Sequence, residues 1–73
     1  MNLLVIQHLT DGTIARSFLN YPTKSAALSA LYSTLASASV NENMSKCVCS
    51  MIDDNGMIDR FEDWTSDTYI VEE

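Results

Sequence analysis

Residues 5–18 read VIQHLTDGTIARSF and residues 46–64 read KCVCSMIDDNGMIDRFEDW. These two stretches decide the fold. In each, runs of strand-forming residues flank a glycine that follows Asp or Asn: Asp11-Gly12 in the first, Asn55-Gly56 in the second. Such pairs readily take the positive backbone angles of a two-residue hairpin turn, so each stretch reads as two antiparallel strands joined by a tight turn. The chain's only long helix-like segment lies between them. The predicted class is therefore α+β: a ββαββ chain with an antiparallel four-stranded sheet and one helix packed on one face.

Working outward, the first strand, 3–9, places Leu3, Val5 and Leu9 on one face and Leu4 and Ile6 on the other, so both faces are apolar. The second, 13–19, alternates Ile14, Arg16 and Phe18 against Ala15, Ser17 and Leu19. Tyr21-Pro22-Thr23 breaks it, and Thr23 is placed to cap a helix over residues 24–40. Leu28, Leu31, Leu35 and Ala38 recur at spacings of three and four, with Ala27 and Tyr32 widening the stripe and Ser29, Ser33 and Ser37 opposite. The third strand, 46–52, alternates Cys47, Cys49 and Met51 against Val48 and Ile52, and the fourth covers 57–64. The segment 65–73 contains Tyr69-Ile70-Val71, which suits a short edge strand or a docking segment in an otherwise flexible tail.

A 17-residue helix spans about 25 Å and a seven-residue strand about 24 Å, so one helix can lie along the sheet and cover one face. The other face has no second helix. Leu3, Val5, Ile14 and Phe18, or their opposite-face neighbours, must then form an exposed apolar surface, which is rare in monomers and marks an interface. A symmetric homodimer is the simplest solution, with a higher homo-oligomer as its extension.

Composition bounds the rest. A chain of 73 residues with 47% apolar residues and a net charge of −6 is a globular single domain over 1–73 rather than a disordered segment. The longest unbroken apolar run, 3–6, is far below the roughly 20 residues of a membrane span, and no basic leader precedes it, so a cytoplasmic protein is expected. Two cysteines in a Cys47-x-Cys49 arrangement make no disulfide framework, and reduced thiols follow. Charge is uneven. Asp11 and Glu42 against Arg16, Lys24 and Lys46 leave residues 1–52 at +1, so −7 falls in the last 21 residues. That end disfavours direct contact with nucleic acid and favours a basic protein surface.

No pattern predicts a catalytic centre, a cofactor or a metal. Asp53, Asn55, Gly56, Ile58 and Glu62 fall at the third, fifth, sixth, eighth and twelfth positions of a calcium loop, but Met51 holds the first, where a hard cation needs a carboxylate, and the flanks read as strands. Cys47, Cys49 and Met51 are soft ligands, yet His8 lies on another strand and the set is incomplete, so they read as core. No serine is placed to pair with His8, and Asp59 with Asp63 lacks the aromatic groove of a glycosidase. What stands out is Asp53, Asp54, Asp59, Glu62, Asp63 and Asp67 around Trp64, a combination suited to binding a basic protein surface with an aromatic anchor.

Leu4-Val5-Ile6-Gln7-His8, Tyr21-Pro22-Thr23-Lys24-Ser25-Ala26-Ala27-Leu28 and Ile52-Asp53-Asp54-Asn55-Gly56 resemble small proteins encoded by phages and prophages of firmicute bacteria. The resemblance covers most of the chain and implies a context. Phage proteins of this size include inhibitors of host defence and adaptors that capture host proteins, as well as minor virion or assembly components. The expectation is a non-catalytic binding protein in the host bacterial cytosol, an inhibitor or adaptor acting on a host protein through its acidic surface. A structural virion component and a small-molecule sponge are the alternatives.

Overall fold

In a computed structural model, which describes residues 1–67, the elements follow the predicted order: β1 (Asn2–Leu9), β2 (Ile14–Asn20), α1 (Lys24–Ser39), β3 (Met44–Ile52) and β4 (Ile58–Thr65). The four strands form one sheet in the order β2-β1-β3-β4, each neighbouring pair antiparallel. The helix returns the chain across the sheet, so β1 and β3 pair at its centre and both hairpins end in edge strands. The Tyr69-Ile70-Val71 segment lies outside the described residues.

The turns differ from expectation, and the difference has structural weight. Gly12 and Gly56 have φ of +92° and +86°, and no other residue among those described has positive φ. A two-residue type I′ turn needs two such residues, so neither Asp11-Gly12 nor Asn55-Gly56 forms one. Instead the Leu9 amide donates to the Thr13 carbonyl at 2.8 Å and the Gly12 amide to Leu9 O at 3.1 Å, which closes a three-residue loop, Thr10-Asp11-Gly12. The Asp53 amide likewise donates to Met57 O at 2.9 Å and the Gly56 amide to Asp53 O at 3.0 Å. In each loop a tight turn ends in a left-handed glycine. Carboxylates support both: Asp11 Oδ1 accepts from the Thr13 amide at 2.8 Å, and Asp53 Oδ1 accepts from the Asn55 and Met57 amides at 2.9 Å each.

One extra loop residue shifts strand register by one, and a one-residue shift turns every side chain to the other face. A two-residue turn would set Val5 opposite Phe18. The observed partners are Val5 with Ser17, Leu4 with Phe18, and His8 with Ile14. The predicted interface set of Leu3, Val5, Ile14 and Phe18 is therefore split. Leu3 and Val5 are 2% and 7% exposed beneath the helix, whereas Ile14 and Phe18 stand on the opposite face beside Leu4 and Ile6.

Thr23 caps α1 with its hydroxyl oxygen, which accepts from the Ala26 amide at 3.1 Å. The helix lies mainly over β3, with lesser contact to β4 and β1. Ala27, Leu31 and Ala38 are its buried residues, and Leu28 and Leu35 pack at the margin. Two alanines let the helix backbone settle close to the sheet, where Cys47, Cys49 and Met51 are fully buried with Leu3 and Val5. Tyr32, expected to widen the apolar stripe, is exposed and its hydroxyl accepts from Arg60 Nη1 at 3.0 Å. A bulge in β3 at Ser45, between the pairs His8–Lys46 and Leu9–Met44, brings Met44 to the core side. A second bulge places Asp59 between the pairs Met51–Arg60 and Ile52–Ile58.

Candidate functional site

The strand registers define what the face away from the helix carries, which no element among the described residues covers. Directly opposed residues share a face, so each pairing can be followed across the sheet from β2 to β4. One row is Phe18, Leu4, Ser50, Phe61; the next is Arg16, Ile6, Val48, Asp63; Ile14, His8, Lys46 and Thr65 follow, and Asn20, Asn2, Ile52 and Ile58 close the other end. Phe18, Phe61 and Ile58 are 59%, 55% and 64% exposed, while Leu4, Ile6, Val48 and Ile52 between them are half-buried. The result is an apolar strip with aromatic rings at both edges, Arg16 and Asp63 at opposite ends of one row, and Lys46 in the next. In β2 no residue is shielded on either face.

The acidic residues follow an edge rather than a face. Asp53 and Asp54 sit in the β3–β4 turn, Asp59, Glu62 and Asp63 on the edge strand β4, and Asp67 just beyond it. Asp53 is half-buried and its Oδ1 holds the turn, so its role is structural. Asp54 Oδ1 accepts from Asn2 Nδ2 at 3.4 Å. The β4 bulge turns Asp59 toward the helix start, where Lys24 Nζ lies 3.0 Å away, and Arg60 Nη1 is 3.5 Å from Glu62 Oε1. Both pairs are solvated and hold their partners weakly. Asp63 faces the open side, Glu62 and Trp64 the helix side. The predicted seven-residue cluster therefore wraps round the β4 edge without converging on Trp64.

Trp64 is half-buried, packed against the core on one side. Its other side opens into a groove of about 450 Å³ at the C-terminal end of α1, lined also by Val40, Glu42, Met44 and Asp67. Sequence reasoning missed Val40 and Glu42, because nothing in their spacing signals that the helix end meets the end of β4. Val40 is 82% exposed there. With Glu42 and Asp67 on its walls and no lysine or arginine among its lining residues, the groove suits a cationic or apolar group and repels anions.

The two thiols are free and buried side by side. Burial, with the neighbouring Cys47 adding to it, pushes the Cys49 pKa up to about 12, so the thiol stays protonated and poorly nucleophilic. His8 lies on the open face, one strand from Cys47 and its partners on the other side of the sheet. Among the described residues no group of three His, Cys, Asp or Glu side chains is arranged to hold a metal ion, and no helix is long and apolar enough to cross a membrane. No protein-family model, curated protein or solved structure matches the chain.

Proposed function

We propose that this is a non-catalytic protein-binding module that acts as a homodimer and presents the acidic β4 edge to a basic protein surface. The observation that carries the reading is the run of Asp54 in the β3–β4 turn, Asp59, Glu62 and Asp63 on the edge strand, and Asp67 on the wall of the groove of Trp64, Val40 and Glu42. An edge strand offers backbone groups to a partner, and acidic side chains select partners with Lys or Arg. The groove adds a place for an apolar or cationic side chain. Together with the sequence resemblance, this favours a phage-encoded inhibitor or adaptor that works in the bacterial host cytosol on a host protein.

Acidic residues on an edge also deter stray strand pairing, and that role alone would require no partner. Capture from bacterial lysate separates the two. Tagged wild-type protein should retain a basic protein at low salt, and the triple change Glu42→Lys, Glu62→Lys, Asp67→Lys should release it. Trp64→Ala is unsuitable because Trp64 also packs on the core. A partner that survives the triple change would refute the acidic edge, and the absence of any salt-sensitive partner would refute the binding module.

A further inference from the structure

The row Arg16, Ile6, Val48, Asp63 crosses the whole open face with a cation on one edge strand and an anion on the other. Three strand spacings separate the two charges, about 14 Å. Among the described residues neither joins an ion pair, the two that form being Lys24–Asp59 and Arg60–Glu62. Both side chains are exposed. We propose that this face pairs with the same face of a second copy about a two-fold axis parallel to the strands, so that Arg16 of each copy meets Asp63 of the other and Phe18 meets Phe61. The proposal rests on the self-association stated above and specifies its geometry.

The strand order supplies the argument. With β1 and β3 central, an axis running between them along the strands sets β2 of one copy over β4 of the other. Each cross-strand row then lies on its own reversed copy: Arg16 over Asp63, Ile6 over Val48, Phe18 over Phe61, Leu4 over Ser50, and, at one end, Lys46 over His8 and Ile14 over Thr65. Stacked sheets lie about 10 Å apart and cross at about −30°, an offset at the edges of about one residue that an arginine side chain spans. The alternative axis, across the strands, lays β2 on β2 and β4 on β4. Placed at the middle of the face, it sets Arg16 over Phe18 and Asp63 over Phe61, and burying each charge without an opposite partner disfavours it. Charge thus selects one of two arrangements that the apolar residues alone leave equal.

Area is sufficient. Four strands of about seven residues make a face of roughly 19 by 24 Å, so two copies cover on the order of 900 Å² before side-chain relief is counted, near the ~1,000 Å² a specific interface needs. The phenylalanines at both edges supply aromatic contacts of the kind that dominate interface energetics.

Sedimentation equilibrium tests both levels. Wild-type chain should be dimeric at about 100 µM, and Arg16→Asp alone and Asp63→Arg alone should each weaken the dimer by about tenfold or more, since two attractive pairs become two repulsive ones. Mixed in equal amounts, the two variants should form a heterodimer, because every altered position then meets an opposite charge. Circular dichroism of each variant checks the fold, and the double variant Arg16→Asp/Asp63→Arg should dimerise by itself. A monomeric wild type overturns self-association and the axis with it, leaving the acidic-edge reading to its own test. A dimer indifferent to the single changes, or variants that stay apart when mixed, overturns the axis alone.

Discussion

Cys49 shows how far a single residue can be read. Alternation in residues 46–52 assigns Cys47, Cys49 and Met51 to one strand face, and they are among the most deeply buried side chains of the protein. The thiol gains stability from staying neutral: its pKa in the folded chain is about 12, against an ordinary value of 9.0. The folded state therefore holds a proton that the unfolded chain releases from pH 9 upward. The Cys49 contribution is complete below pH 9 and is lost progressively between about pH 9 and pH 12. Urea midpoints measured across that range should fall with rising pH, and Cys49→Ala should flatten the slope. An unchanged slope would contradict the assignment. The acidic residues were legible in a weaker sense. Composition marks them as a concentration of charge, but whether neighbours in sequence share a face depends on the β4 bulge, which no residue type announces. That bulge sends Asp59 to Lys24 and leaves Asp63 alone on the open side.

At the scale of elements, order was readable because the signals are local, and boundaries to within one or two residues, β3 beginning at Met44 rather than Lys46. Thr23 after Pro22 starts the helix, and a glycine closes the turn of each hairpin. Loop length was not readable, because Asp-Gly and Asn-Gly serve both two-residue and three-residue loops, and the choice between them sets register and hence the face of every residue in β2. The three-residue loop makes a specific demand at its last position. Gly56 has φ +86°, and a methyl group added there would have nothing within 4 Å, so a side chain meets backbone strain rather than a neighbour. Gly56→Ala should cost about 1–2 kcal/mol in urea denaturation, and Gly56→Asn distinctly less, since Asn tolerates left-handed geometry. Equal effects of the two changes would count against the left-handed glycine.

For the whole molecule, one helix on a four-stranded sheet leaves an apolar face, a conclusion that needs only element count and length. Which residues share that face follows from register, and the helix, by covering Leu3 and Val5, leaves Leu4 and Ile6 on it. The central claim is that this face, with Phe18 and Phe61 at its edges, is where the protein meets a second copy of itself. The most direct measurement is a series of proton–carbon NMR spectra recorded from about 5 to about 500 µM, a range that brackets the weak-to-moderate affinity expected of so small an interface. Concentration-dependent shifts should appear at Leu4, Ile6, Val48, Phe18 and Phe61 and leave Ala27, Leu31 and Ala38 unmoved. Spectra that do not change with concentration, or changes confined to the helix, would contradict the account.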